Sequence, residues 1–173
     1  MRGSDPADRE QEYVDYVTTR LPGLRRLGYH LCGTTAGADD LVQETITKVF
    51  VHWGRIRAVD DMDAYVRRML LRTFLAEVRR PWARVGRYET PPTVTAAEGP
   101  DADLRLVLRA ALAKVPPRQR SVLVLRFLYD LPVQDVATLL NCSTGTVKSQ
   151  TTHGLTAMRR LLGTPQFAWT DRT

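Results

Sequence analysis

The 173-residue sequence contains 25 lysines and arginines against 19 aspartates and glutamates, so its net charge is +6 when the histidines are neutral. Hydrophobic residues make up 43% of it, which suffices for one or two small cores and excludes a disordered or collagen-like chain. No apolar run is long enough to cross a bilayer, and Cys32 and Cys142 form no CxxC pair. We therefore expect a soluble, cytoplasmic protein with no membrane insertion, disulfide framework or four-cysteine zinc site.

The first 87 residues show a helical pattern, because their apolar residues recur at intervals of three and four. Tyr13, Val17 and Leu21 begin a stripe that continues over residues 24–31, and this stripe predicts helices near the start of the chain. Glycines and threonines follow over residues 33–38. That stretch lacks the Gly-Lys-Ser/Thr of a phosphate-binding loop, so a connection between two helices is the better interpretation.

The next predicted helix follows this loop directly. We expect it to open with Asp39 and Asp40, because acidic side chains stabilise the positive end of a helix dipole. Its apolar stripe runs from Leu41 to Phe50. The residues at its start have an ordinary explanation as part of a capped amphipathic helix.

An arginine-rich helix is predicted from Met62 to Arg80, and Pro81 should end it. Between residues 64 and 87 seven arginines face a single acid, Glu77. A solvated helix face is the usual explanation for one such run. A ratio of seven to one is harder to explain in that way.

Residues 88–103 have the composition of a linker, with three prolines, a glycine and no helical period. They separate a first module over residues 1–87 from a second over residues 104–163, and residues 164–173 form a C-terminal tail. Both modules are rich in helical periodicity and neither shows a strand pattern. The sequence therefore predicts an all-α protein, with two small helical domains joined by a flexible linker.

Four helices are predicted in the second module. An apolar stripe over residues 104–115 gives the first, and Pro117 suits the first turn of a second helix that runs to Asp130. A short third helix spans Val133 to Leu140. The fourth runs from about Thr144 to Leu162.

The most specific pattern is the short helix, three-residue turn and longer polar helix over residues 133–162. Asn141 tolerates the left-handed conformation that such a turn needs, and Ser143 can cap the helix that follows. The leading turns of that helix carry Thr144, Thr146, Lys148, Ser149, Gln150, Thr152 and His153. Short hydroxyl, amide and basic side chains suit a DNA major groove better than a core, so a helix-turn-helix is predicted here. A surface helix in an ordinary bundle is the alternative.

No catalytic pattern is visible in the sequence. His30, His52 and His153 lie in different predicted elements and lack the spacing of metal ligands. No nucleophile stands beside a base, and no carboxylates are paired in an apolar setting. We therefore expect no enzymatic activity, no bound metal and no cofactor.

These motifs resemble the bacterial sigma factors. The stretch from Ser143 to Ser149, preceded by residues 117–120 and 136–140, is similar to the promoter-reading fourth region of that family. Residues 40–50, followed by residues 64–69, resemble its second region. The two matches stand in family order around a linker and leave no room for a middle domain. The chain thus resembles the compact extracytoplasmic-function group, and most of all its actinobacterial branch.

The resemblance implies a transcription initiation factor that binds core RNA polymerase and directs it to the −10 and −35 elements of promoter DNA. It also allows for an anti-sigma factor as a partner. The implied polymerase contacts are Asp40, Leu41, Gln43 and Glu44. The implied contacts to the −10 element are Arg67, Arg68, Arg72, Arg79 and Arg80. The implied contacts to the −35 element are Arg126 and the seven polar residues of the last helix, from Thr144 to His153.

Two other classes of protein remain as alternatives. One is a helix-turn-helix transcriptional regulator with an N-terminal sensing or dimerisation domain, and a weaker one is a helical interaction protein that binds no DNA. A sensor needs a ligand cavity or a dimerisation stripe. The first module instead offers an acidic and amide-bearing helix followed by the arginine-rich segment, which favours the sigma factor.

Overall fold

The structure, a computed structural model, describes residues 6–79 and 102–163. Within these residues the secondary structure is helical, without a strand, so the predicted all-α class is confirmed. The chain divides into two compact units, and the boundary between them follows residue 89. Arg80, residues 88–101 of the predicted linker and the predicted tail over residues 164–173 lie outside the described residues. In the part of the chain that is described, no helix is both long and apolar enough to cross a membrane.

The first unit contains helices α1 (Pro6–Cys32), α2 (Thr35–Val51), α3 (Trp53–Ile56) and α4 (Met62–Arg79). Helices α1, α2 and α4 pack against one another. Their contact surfaces form an aliphatic core that includes Leu24, Leu27, Leu31, Leu41, Val42, Val49, Val66, Leu70 and Leu71. The helical stripes read from the sequence therefore supply this core.

Helix α1 is continuous, although the sequence suggests more than one helix in this region, and it contains Pro22. A proline inside a helix removes a hydrogen bond and costs about 3 kcal/mol. Both halves of α1 are held along α2. On one side of the proline, Tyr13 Oη donates a hydrogen bond to the Ile46 carbonyl at 3.0 Å. On the other, Gly28 packs so closely that a Cβ there would lie 3.3 Å from the Ala38 carbonyl oxygen.

Helix α2 begins at Thr35, earlier than the predicted start at Asp39. Thr34 is the N-cap, and its Oγ1 accepts a hydrogen bond from a backbone N–H of the first turn at 3.1 Å. Asp39 and Asp40 therefore lie in the second turn, and Asp39 forms an ion pair with Arg25 of α1 at 3.0 Å. The prediction is wrong at this boundary because a threonine hydroxyl satisfies the first backbone donors as an aspartate would.

Asp63, in the first turn of α4, connects this helix to α1. Tyr16 Oη and Arg20 Nε donate hydrogen bonds to its Oδ1 at 3.0 and 2.9 Å. Burial by itself would raise the pKa of Asp63, but these two hydrogen bonds and the charges of Arg20 and Arg67 lower the pKa overall. The ionised carboxylate therefore stabilises the fold above the ordinary pKa of an aspartate. This contribution is lost as the pH falls through the lowered pKa.

Replacing Asp63 with asparagine should make the stability of the first unit less dependent on pH in the acid range. The variant should be less stable than the wild type near neutral pH, and the difference should shrink as Asp63 of the wild type becomes protonated. Urea unfolding between about pH 7 and about pH 3 measures this. Asp60→Asn, at an exposed position before α4, is the control. An identical pH dependence in the two variants would contradict the prediction.

The second unit contains α5 (Ala102–Lys114), α6 (Pro117–Leu123), a π-helical segment (Val124–Leu128), α7 (Val133–Leu140) and α8 (Thr144–Leu162). Residues 102 and 103 of the predicted linker thus belong to α5. Helix α8 packs against α5, α6 and α7. The core between α5, α6 and α8 consists of Ala111, Val115, Leu123, Leu155, Ala157 and Met158.

The helix predicted from Pro117 to Asp130 is α-helical only as far as Leu123. From there the backbone widens, and the N–H of Tyr129 donates to the Val124 carbonyl at 3.2 Å, five residues back. Such π-turns are rare. Apolar periodicity does not reveal one, because a single wide turn shifts the pattern by only one residue.

Arg120 of α6 is almost completely buried, with 1% of its surface exposed. Its guanidinium donates hydrogen bonds to the carbonyls of Ala113 and Val115, and the Nη2–O distance to Val115 is 3.0 Å. The last carbonyls of a helix lack partners within the helix and carry partial negative charge. Arg120 therefore satisfies the C-terminal end of α5 from within the core.

Candidate nucleic-acid interface

Helices α7 and α8 form the predicted helix-turn-helix. Asn141 ends α7 in the left-handed conformation, with φ 52° and ψ 56°, and the N–H of Cys142 donates to the Ala137 carbonyl at 2.9 Å. Ser143 Oγ accepts a hydrogen bond from the N–H of Thr146 at 3.1 Å and so caps α8. The turn, its left-handed residue and its cap are confirmed, and they fix the direction in which α8 leaves the turn.

The inward face of α8 holds the helix firmly on its unit. Val147 has no exposed surface, and Leu155 and Met158 are buried beside it. Gly154 lies on the same side, where a Cβ would come within 3.0 Å of the Leu123 side chain of α6. Helix α8 thus approaches α6 closely at a position without a side chain, and the orientation of its opposite face is fixed.

The polar side chains predicted to contact DNA lie on the opposite face of α8 or at its edges. Thr144, Lys148, Ser149, Thr152 and His153 are exposed, and Thr146 and Gln150 are half-buried. At about 3.6 residues per turn, Ser149 and Thr152 fall near the centre of this outward face, with Lys148 on one edge and His153 on the other. The outward face therefore combines a hydroxyl-bearing centre with a lysine at one edge and a histidine at the other.

Three further residues extend the outward face along α8. Thr156, Arg159 and Arg160 are exposed and follow the same spacing, and Arg159 lies three turns beyond Lys148 on the same edge. The prediction omits them because it depends on the polar leading turns alone. The spacing of seven and eleven residues was the signal that could have found them.

Arg126 lies half-buried in the π-helical segment. Its Nη1 donates to the Leu131 carbonyl at 3.1 Å, at the connection that leads into α7. Its Nε is buried and has no hydrogen-bond partner among the described residues. Part of the guanidinium is thus engaged within the fold, and a contact of Arg126 with DNA stays a prediction.

The arginines of α4 differ in exposure. Arg72 and Arg79 are exposed, whereas Arg67 and Arg68 are half-buried. Arg80 lies outside the described residues. The spacing of residues 68, 72 and 79 places them near one face of the helix, so three arginines share one face of α4.

A groove of about 310 Å³ lies beside this basic face, between α2 and α4, and Lys48, Arg68 and Arg72 are among the residues that line it. Lys48 Nζ donates to Glu44 Oε1 at 2.7 Å and to Thr73 Oγ1 at 3.0 Å. The bond to Thr73 connects α2 to α4. The groove is therefore lined by three basic side chains, and Lys48 is held in place at its edge.

The residues predicted to contact polymerase fall on different sides of α2. Asp40 and Gln43 are exposed, and Glu44 is half-buried. Leu41 has no exposed surface and belongs to the core of the first unit. The prediction is therefore wrong for Leu41, because its position on the apolar stripe turns it away from any partner.

The exposed face of α2 continues to the end of the helix with Phe50 and Val51, which are 54% and 69% exposed. Phe50 lies seven residues after Gln43 and so shares its face. The sequence assigns Phe50 to the buried stripe, whereas more than half of its surface is exposed, and its ring packs at a steep angle against that of Tyr13 with a centroid distance of 5.0 Å. The surface of α2 is thus acidic and amide-bearing in its first half and apolar at its end.

Comparison with known proteins assigns a family to both units. Residues 16–84 match the family described as sigma-70 region 2, and residues 105–158 match the family described as sigma-70, region 4. The first match begins within α1 and spans α2 to α4. The second begins in α5 and ends within α8, so it contains α7, the turn and all but about the last turn of α8.

Matches to single proteins agree with this assignment to the sigma-70 family. The RNA polymerase sigma-E factor of Streptomyces coelicolor is 32% identical over 157 residues, covering 87% of this chain and 86% of that protein. The ECF RNA polymerase sigma factor EcfG of Rhodopseudomonas palustris is 29% identical, covering 86% and 83%. The sigma factor RpoE of Bartonella quintana, solved in complex with the anti-sigma factor NepR, gives a TM-score of 0.73 at 22% identity over 90% of this chain and 99% of that one. The chain therefore belongs to the extracytoplasmic-function group of the RNA polymerase sigma factors.

Proposed function

We propose that the two units divide the work of a sigma factor, which directs core RNA polymerase to promoters. In this proposal the first unit binds the polymerase and the downstream (−10) element, and the second unit reads the upstream (−35) element. The observation that carries the proposal is the two-faced helix α8. Its inward face is fixed in a core, and its outward face presents polar and basic side chains as a major-groove helix does.

At the upstream element, the centre and the edges of α8 take different roles. Ser149 and Thr152 would face base edges, where sequence is read, and the arginines at the end of the helix would contact phosphates. Arg126 would position the DNA backbone without reading sequence. The remaining proposed contacts are Thr144, Thr146, Lys148, Gln150 and His153.

At the downstream element, α4 supplies positive charge to the strands as they separate. Arg72 and Arg79 are exposed, and Arg67 and Arg68 line the same helix at half burial. Arginines attract phosphates whatever the base sequence, and they make binding dependent on salt. We propose that a separated DNA strand passes along the groove beside Arg72. Arg80 is included among the proposed contacts because it directly follows Arg79 in the sequence.

The polymerase surface is proposed to be the exposed face of α2, with Asp40 and Gln43 as its exposed polar contacts and Glu44 at its edge. Carboxylates and an amide suit a basic partner surface. The proposed factor catalyses no reaction itself and acts in the cytoplasm. We include an anti-sigma factor among the proposed partners, because the solved RpoE of Bartonella quintana is bound to one.

Transcription from a promoter library tests this division of roles. Core polymerase with the full chain should enrich promoters that share two elements. Replacing Lys148 with alanine should weaken binding to the enriched promoters by about 1 to 3 kcal/mol if Lys148 reads a base edge. The loss should be nearly equal for all sequences if it contacts phosphate alone.

The matched control removes one positive charge elsewhere in the second unit. Lys114→Ala, at the exposed end of α5, should leave the enriched sequences and their affinity unchanged. A library in which no upstream element emerges would contradict the role proposed for α8. A library without a downstream element would contradict the role proposed for α4.

A further inference from the structure

The hydroxyl groups on the outward face of α8 donate their hydrogen bonds to the helix itself. Thr152 Oγ1 donates to the Lys148 carbonyl at 3.2 Å, and Thr156 Oγ1 donates to the Thr152 carbonyl at 2.9 Å. Ser149 Oγ donates to the Thr146 carbonyl at 3.0 Å. A hydroxyl has one hydrogen to donate. None of these three groups therefore has a hydrogen left for a phosphate or for an acceptor on a base.

This arrangement changes what Thr152 offers to DNA. A threonine Cβ carries a hydroxyl and a methyl, and when the hydroxyl lies against the carbonyl one turn back, the methyl is the group left to project. Thr152 is exposed and lies near the centre of the outward face. Its methyl is therefore placed where a base edge would meet the helix.

Only one base has a matching group in the major groove. Thymine presents a C5 methyl there, and contact between this methyl and an apolar side-chain group distinguishes thymine from the other bases. A hydroxyl that already donates its hydrogen can still accept one from the amino group of adenine or cytosine. At Thr152 the oxygen lies against the helix backbone, so the methyl contact is favoured.

We propose that Thr152 is a specificity-determining residue, which recognises a thymine of the upstream element by contact between its Cγ2 methyl and the thymine methyl. This inference rests on the proposed function of α8 in reading that element. The inference adds to that function the chemical group by which the base is recognised, the thymine methyl. It also distinguishes Thr152 from Ser149, which has no methyl.

Two substitutions separate the methyl of Thr152 from its hydroxyl. Thr152→Val retains the methyl group and replaces the hydroxyl with a second methyl. Thr152→Ser retains the hydroxyl and removes the methyl. The control is Thr138→Ser on α7, which makes the same change at an exposed threonine whose hydroxyl also bonds one turn back, to the Gln134 carbonyl at 3.0 Å. Thermal unfolding of each full-length variant verifies that the fold is intact.

The DNA probe removes the thymine methyl, which is the partner of the Thr152 methyl in the proposed contact. Core polymerase with the full chain selects promoters from a randomised library, and each thymine of the enriched upstream element, on either strand, is then replaced by deoxyuridine. This replacement removes only the C5 methyl. Affinity is measured for every combination of protein variant and probe.

For the wild type, one replacement should lower the affinity roughly three- to fivefold, the factor that corresponds to burial of one methyl group. Thr152→Val and Thr138→Ser should show the same loss at the same position. Thr152→Ser should bind the thymine and uracil probes equally there.

Discrimination between thymine and uracil that persists in Thr152→Ser, or disappears in Thr152→Val, would overturn the inference. An enriched upstream element in which no thymine is sensitive to uracil would overturn this inference alone. A library with no enriched upstream element would overturn the proposed function of α8 and this inference with it.

Discussion

Replacing Arg120 with methionine should lower the free energy of unfolding of the second unit by about 3 kcal/mol. Methionine fills a similar volume but donates no hydrogen bond, so the carbonyls of Ala113 and Val115 would lose their partner in the core. A buried polar group without a partner costs about 1 to 3 kcal/mol. Hydrogen exchange in the full chain, resolved to peptides of α5, α6 and α8, measures the change without interference from the first unit.

The control for this prediction is Arg118→Met. Arg118 lies two residues earlier on the same helix and is exposed, so its replacement should change stability by less than about 0.5 kcal/mol. Protection should decrease in α5 and α6 of the Arg120 variant and stay unchanged in α1 to α4. Equal protection in the two variants would show that the bonds of Arg120 contribute nothing to stability.

Making the exposed face of α2 positive should have the largest effect on polymerase binding. The double substitution Asp40→Lys and Gln43→Lys should weaken the affinity for core polymerase about 100-fold, because like charges brought together at an interface cost several kcal/mol. Glu44 is left unchanged because it pairs with Lys48, which also bonds Thr73 of α4. Reversing the charge of Glu44 would disturb the packing of α2 and obscure the result. Competition binding with isolated core polymerase gives the affinity.

Asp60→Lys is the matched control, since it reverses an exposed acid of the same unit away from α2. It should retain the affinity of the wild type. If the double variant also retains that affinity, the face of α2 is not the polymerase contact. Circular dichroism of both variants verifies that helix content is preserved.

The helix-turn-helix is the part of the fold that local sequence determines most completely. The predicted spans of α7 and α8 agree with the structure, because both ends of the turn have short-range signals: Asn141 adopts φ 52° and Ser143 caps the next helix. The continuity of α1 through Pro22 and the wide turn after Leu123 have no such signal. The continuity of α1 accompanies its contacts along α2, which outweigh the local preference of proline.

The candidate site shows the same division between local and distant causes. Helical spacing is enough to place Lys148 and Thr152 on one face of α8 and away from the core. Motif position alone was misleading at Leu41, where the apolar stripe already indicated burial. The burial of Arg120 could not be read from its basic neighbours, because its carbonyl partners become apparent only when the end of α5 is placed against α6.

The close packing at Gly154 separates two kinds of evolutionary change in α8. Substitutions on the inward face must fit against Leu123 and the core, so they are limited by stability. Side chains on the outward face project away from that core, and their replacement leaves the docking of the helix unaffected. On the role proposed for α8, promoter preference can diverge between relatives through outward positions such as Thr152. A lineage would then acquire a new set of target genes without compensating substitutions in the core of the unit.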